Sequence, residues 1–162
     1  MLKLINAITA SDVLPNRLRL RLYKLSGLVT GKNITIYSGC FFTHSYLDTV
    51  KIGNDVLINH SAFFDNGATI EIGDRCNIAM NVQFITATHN LGSSQQRAGY
   101  ECIRKPIRIE SGCWICAGAR ILPGVTIGSG CWIWSGAEVT KDCDPNGVYA
   151  GVPAKRIRDL PE

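Results

Sequence analysis

The 162-residue sequence predicts an all-β fold, a parallel β-helix in which short strands and tight corners wind around one continuous core. Three observations predict it. Between Ile107 and Val139 an aliphatic residue returns every six positions, at Ile109, Ile115, Ile121, Ile127, Ile133 and Val139. Two residues before each stands another small or aliphatic side chain: Ile107, Cys113, Ala119, Val125, Cys131 or Ala137. Gly112, Gly118, Gly124, Gly130 and Gly136 punctuate the same register, and glycine reaches corner conformations that cost other residues more. A six-residue period fits neither an α-helix nor long strands joined by hairpins. Stacked coils that bury a shared core do fit it.

The chain divides into an N-terminal cap segment (1–30), a solenoid (31–142) with an extruded loop at about 86–105, and a tail (143–162). In the first segment Ser11 and Asp12 offer a helix cap, with Pro15 in the first turn. Leu14, Leu18, Leu22 and Leu25 then share one helical face, and Arg17, Arg19, Arg21 and Lys24 lie largely off it. Two readings stand. The leucine stripe packs on the end of the solenoid as a cap against edge pairing, or the basic amphipathic segment makes peripheral contact with an anionic membrane or a lipid-linked sugar. The run LRLRL also alternates with the period of a strand.

The coils begin near Gly31 with Ile34/Ile36 and Cys40/Phe42, and slip once before Ile52. The register resumes through Ile52, Ile58, Phe64 and Ile70, shifts by two at Ile72, and continues through Ile78 and Phe84. From Phe84 to Ile109 the period fails across THNLGSSQQRAGYECIRKP. A break in a regular solenoid is where a loop leaves the core, and such loops carry function. After Val139 the pattern decays through the turn sequence Asp144-Pro145-Asn146-Gly147 to the basic Lys155-Arg156-Ile157-Arg158.

A net charge of +4 without runs of like charge makes no claim on nucleic acid. The sequence shows no secretory signal and no span for a membrane, so a cytoplasmic enzyme is expected. Seven cysteines, with CxxC spacing at Cys113 and Cys116, invite a metal or disulfide reading. The register argues against both. Cys40, Cys76, Cys113, Cys131 and Cys143 fall at the small buried slot of the period, where a thiol acts as a small hydrophobe, and strand alternation turns Cys116 away from Cys113. No metal is expected.

Four ordered motifs, ATHN (87–90), ILPGVTIG (121–128), VTKD (139–142) and AGVPAKRIR (150–158), resemble the hexapeptide-repeat acyltransferases of the maltose/galactoside O-acetyltransferase branch. The resemblance runs from about Val50 to Arg158 and implies a left-handed winding, acetyl-CoA as co-substrate, and a homotrimer with active sites between chains. It implies an O-acetyltransferase that passes acetyl directly to a sugar hydroxyl, and a saccharide unit of a bacterial surface polysaccharide as the expected acceptor. Rival readings are N-acetylation of an amino-sugar nucleotide and a non-catalytic scaffold of the same fold.

His89, in TATHN, matches the family's catalytic histidine and is expected to act as general base, for which an imidazole suits near-neutral pH. Glu101 either holds the imidazole tautomer or is a solvated loop charge. Asn59 matches an acceptor-sugar contact, against the alternative of a corner asparagine, and Asp65 stands near the family's acidic pair. The positions matching coenzyme A contacts are Ala117, Ser135, Thr140, Lys141, Lys155 and Arg158; the cations suit phosphates, and amides near Ala117 suit an oxyanion. Trp132 and Trp134 flank inward Ile133, so they are expected to point outward toward an interface.

Overall fold

The computed structural model describes residues 2–44 and 46–161. Its core is a three-faced prism of short parallel strands. The first face stacks Val29–Thr30, Val50–Ile52, Ile70–Ile72, Ile107–Ile109 and Thr126–Ile127. The second stacks Thr35–Ile36, Leu57–Ile58, Asn77–Ile78, Trp114–Ile115, Trp132–Ile133 and Gly147–Ala150, and Lys155–Asp159 adds an antiparallel edge. The third stacks Phe41–Phe42, Phe63–Asp65, Gln83–Ile85, Arg120–Ile121 and Glu138–Val139.

Because strands alternate in and out, equivalent residues of successive coils form columns down the axis. Ile36, Ile58, Ile78, Ile115 and Ile133 make one buried column, each paired in register with the next. Phe42, Phe64 and Phe84 make another, with rings stacked 4.7 and 5.0 Å apart. Cys76, Cys113 and Cys131 fill the small slot on the second face, each 1% exposed or less. Burial pushes the Cys40 thiol up to about 11 and the Cys143 thiol up to about 12, so both stay protonated and behave as apolar spacers. Cys116, one residue past inward Ile115, is turned away from the Cys113 slot. It is buried at the corner and accepts a hydrogen bond from the Trp132 indole N–H at 2.9 Å.

Corners, too, form columns. Asn33, Asp55, Arg75, Gly112, Gly130 and Asn146 all adopt positive φ along one edge of the prism. Gly39, Ser61, Asn81, Gly118 and Gly136 do so along the next. In the early coils side-chain bonds support these strained non-glycine corners, as where Asn33 Nδ2 donates to Asp55 Oδ1 at 2.8 Å.

The N-terminal segment contains two helices, α1 (Leu2–Thr9) and α2 (Asn16–Leu25), where one was expected. Ser11 and Asp12 lie in the turn between them and cap neither helix: Ser11 Oγ accepts from the Val13 amide at 3.3 Å, and Asp12 accepts from the Ser38 hydroxyl. The packing of α2 is the reverse of a leucine-faced cap. Arg19 and Tyr23 are the buried residues, while Leu18 and Leu25 are exposed. Arg19 explains the inversion. Its guanidinium donates to the carbonyls of Thr9 (2.8 Å), Ser11 (2.7 Å), Leu14 (2.9 Å) and Ile36 (3.2 Å), and to Asn16 Oδ1. One side chain thus ties α1, the turn, α2 and the first coil together. No leucine can satisfy those carbonyls.

Candidate functional site

The strand Ile70–Ile72 pairs directly with Ile107–Ile109, as though the residues of one interrupted coil were continuous. The step from Ile78 to its partner Ile115 is accordingly 37 residues, against 18 from Ile115 to Ile133. The surplus leaves the prism as an antiparallel hairpin, Ala87–Leu91 with Ala98–Arg104, at the corner after the third face.

Asp65 and Thr86 fix its root. The Asp65 carboxylate accepts from the backbone amides of Thr86 (3.2 Å) and Ala87 (2.9 Å) and from the Thr43 hydroxyl (3.1 Å). Thr86, fully buried, donates its hydroxyl to the Asp65 carbonyl, and its own carbonyl accepts from the Lys105 amide at 2.9 Å. Asp65, read from the sequence as an acceptor contact, therefore has its carboxylate engaged in holding the hairpin.

His89 sits exposed on the first hairpin strand, opposite Cys102. Its Nδ1 lies 2.9 Å from the Gly99 carbonyl oxygen. A carbonyl only accepts, so Nδ1 carries a proton, and in the neutral ring the lone pair is on Nε2. The Glu101 carboxylate instead accepts from Asn90 Nδ2 at 3.2 Å. Strand alternation accounts for this: Asn90 and Glu101 are neighbours of the His89–Cys102 pair and turn to the other side of the hairpin. The group on the imidazole is a backbone carbonyl, which leaves Glu101 without the tautomer-holding contact.

Asn59 lies on the second face, half-buried, in a groove of about 420 Å³ lined by Leu57, Asn59, Asn77, Ile78, Ala79 and Trp114. Asn77 and Trp114 were not singled out from the sequence as site residues. The register held the signal, since Leu57, Asn77 and Trp114 all precede an inward residue of one column. Trp114 is half exposed and stacks in parallel on Trp132 at 5.1 Å, and Trp134 tilts against Trp132 at 5.9 Å. The groove lies on the second face, whereas His89 stands on the hairpin at the corner after the third, and no residue lining the groove belongs to the hairpin. A separate groove of about 520 Å³ on the first face is lined by Lys51, Glu71 and Arg108, whose charges pair with each other at 3.1 and 2.9 Å.

Ala117 and Ser135 are stacked at the corner between the second and third faces, where the Gly136 amide donates to the Ala117 carbonyl at 2.9 Å. Gly118 and Gly136 follow them at φ +69°, and the space a Cβ would enter at either is open. Among the described residues, the Ala117 amide has no acceptor within the chain. Thr140 and Lys141 are exposed at the next corner, after Glu138–Val139. Lys155 and Arg158 lie on the antiparallel edge strand, exposed and, among the described residues, outside any ion pair. Their neighbour Arg156 anchors that strand, through Asp159 Oδ1 (2.7 Å) and the carbonyls of Asp144 (3.0 Å) and Pro145 (3.1 Å). The anchor leaves the two flanking cations free for a ligand. Among the described residues no cluster of His, Cys, Asp or Glu is placed to hold a metal.

Comparison with known proteins adds to this geometry. Residues 106–141 match the bacterial transferase hexapeptide model (six repeats). A Schizosaccharomyces pombe protein provisionally named an acetyltransferase is 42% identical over 111 residues, 68% of this chain and 53% of its own length. A Dictyostelium discoideum protein of like name is 41% identical over 132 residues, 82% of this chain and 68% of its own. The chain thus spans about half of the first relative and two thirds of the second. Among solved structures, a Vibrio cholerae hexapeptide-repeat acetyltransferase complexed with acetyl-CoA superposes with TM-score 0.88 at 27% identity, over 99% of this chain and 85% of that one. A galactoside acetyltransferase in complex with coenzyme A superposes with TM-score 0.86 at 32% identity, over 98% and 78%.

Proposed function

The chain belongs to the hexapeptide-repeat acetyltransferases, and from that premise we propose that it is an O-acetyltransferase that moves acetyl from acetyl-CoA to a sugar hydroxyl. The observation that carries the reading is the imidazole of His89, whose Nδ1 is held by the Gly99 carbonyl while Nε2 is left free. In the proposed step Nε2 takes the proton of the acceptor hydroxyl as that oxygen attacks the thioester carbonyl carbon. The carbonyl oxygen becomes an oxyanion, for which the unpaired Ala117 amide is a donor. Collapse re-forms the carbonyl, breaks the carbon–sulfur bond and gives the ester; the imidazolium returns its proton to the leaving thiolate. No acyl-enzyme is needed.

On this reading Lys141, Lys155 and Arg158 meet the phosphates of the donor, with Ser135 and Thr140 beside its path. The groove of Asn59, Asn77 and Trp114 receives the acceptor: amides donate and accept to hydroxyls, and an indole face covers the apolar side of a sugar ring. A separation of that groove from His89 within one chain supports sites completed between copies of a homotrimer, which sedimentation equilibrium reads directly. Use of acetyl-CoA supports a cytoplasmic setting.

The testing experiment is thiol release from acetyl-CoA across glycosides, amino sugars and nucleotide sugars. Turnover on hydroxyl acceptors is expected, and turnover confined to amino groups would replace the reading with N-acetylation. In the same assay Lys155→Ala and Arg158→Ala are expected to raise the donor KM more than they lower kcat, because phosphate contacts bind ground and transition states alike. An unchanged donor KM in both variants would remove the edge strand from the donor site.

A further inference from the structure

Helix α2 is set against its own amphipathicity. The side chains it turns into the protein are Arg19 and Tyr23, 2% and 0% exposed, while Leu18 and Leu25 stand 46% and 79% exposed. Leu14 and Leu22, on the same stripe, are only half-buried. Just ahead of the helix Val13 is 91% exposed, and α1 leaves Leu4 and Ile8 at 64% and 42%. Single exposed apolar residues need no explanation, but a stripe of them on a helix that buries its arginine does. Arg17, Arg21 and Lys24 border the stripe, exposed, and among the described residues none of them is in an ion pair. From Val13 to Ser26 the sequence holds no acidic residue. Whatever covers this face must be apolar and anionic together.

We propose that the exposed leucine-and-arginine face of the N-terminal helices docks on an anionic lipid bilayer. Leu18, Leu25 and Val13 enter the boundary between headgroups and acyl chains, and Arg17, Arg21 and Lys24 meet lipid phosphates with their stems lying along the apolar surface. At ten residues α2 lies in the plane of the membrane; no described helix is long and apolar enough to cross one. Charge decides against a two-fold pairing of this face with itself, because the same face on a two-fold-related chain would bring three more cations against these. A neighbour in a three-fold assembly would meet it with a different surface, which the oligomer readout below distinguishes. The inference does not depend on the transfer reaction.

The test is co-sedimentation of the full chain with vesicles of phosphatidylcholine alone or mixed with phosphatidylglycerol. Binding to the mixed vesicles only, weakening as salt rises, is expected. Leu18→Glu with Leu25→Glu should abolish it. Arg21→Gln should lower vesicle partition roughly fivefold, the equivalent of about 1 kcal/mol per basic side chain. Thermal melting should be unchanged in these variants, since the altered side chains are exposed. Wild-type protein left in the supernatant with anionic vesicles would overturn the proposal. So would variants that bind as wild type does, or a Leu18→Glu, Leu25→Glu protein whose only change is a smaller oligomer, which would assign the face to a second copy.

Discussion

Replacing His89 with alanine is expected to lower turnover by about 10²–10⁴-fold, or about 3–5 kcal/mol of transition-state stabilisation, with donor affinity nearly unchanged. The reason lies in the hydrogen bond at Nδ1. The Gly99 carbonyl at 2.9 Å holds the proton on Nδ1, so in the neutral ring the nitrogen left with a lone pair is Nε2. Alanine removes the proposed base and this cross-strand bond together. His89→Asn separates the two effects, since its amide N–H can still donate toward Gly99 while the side chain offers no basic nitrogen. Equal loss in both variants identifies proton transfer; recovery in asparagine would identify a structural role for the contact. Glu101→Gln provides the contrast. Its carboxylate meets Asn90, not the imidazole, so a change of no more than a few-fold is expected, and a loss on the scale of His89→Ala would restore Glu101 as the orienting group.

Arg19→Met is expected to destabilise the fold by about 3–5 kcal/mol, read from denaturant midpoints at constant m-value. Methionine conserves much of the stem but leaves the carbonyls of Thr9, Ser11, Leu14 and Ile36 without their donor, and each unsatisfied buried acceptor costs about 1–3 kcal/mol. Water relieves those nearer the surface, so the penalties do not simply add. Arg19→Lys should recover part of the loss, because an ammonium reaches fewer of these oxygens than a planar fork. Leu18→Ser, one position earlier and exposed, should change stability by less than about 0.5 kcal/mol. If Arg19→Met were as mild as Leu18→Ser, the cap would not be organised around the guanidinium.

Those two residues also mark where sequence reading stops. A leucine stripe is visible on a helical wheel, but the wheel does not say which side faces the protein. Arg19 faces inward because carbonyls from two helices, a turn and a coil converge on it, and backbone acceptors leave no trace in side-chain spacing. The Gly99 carbonyl that holds His89 leaves no trace in the sequence for the same reason. After Ile107 the coils are plain because every corner of the first two edges is glycine through Gly136. In the earlier coils Asn33, Asp55, Ser61, Arg75 and Asn81 take the same positive φ, so the punctuation disappears while the winding continues. The hairpin was legible through the failure of a period, and His89 as a candidate on it only through the resemblance carried by ATHN; the Asn77–Trp114 groove was legible only once strands were stacked in register.

The hairpin leaves the prism at a corner, and Ile72 still meets Ile109 in register beneath it. A one-residue insertion within a strand would have turned the side chains after it in that strand to the other face, whereas an insertion at a corner adds only a closure entropy that grows with the logarithm of its length. Segments in this position are therefore free to lengthen, shorten or be exchanged between relatives while the columns above and below stay as they are. On the proposed reading, chemistry on the hairpin and stability in the coils can drift independently, so one scaffold can acquire new acceptors without first learning to fold again.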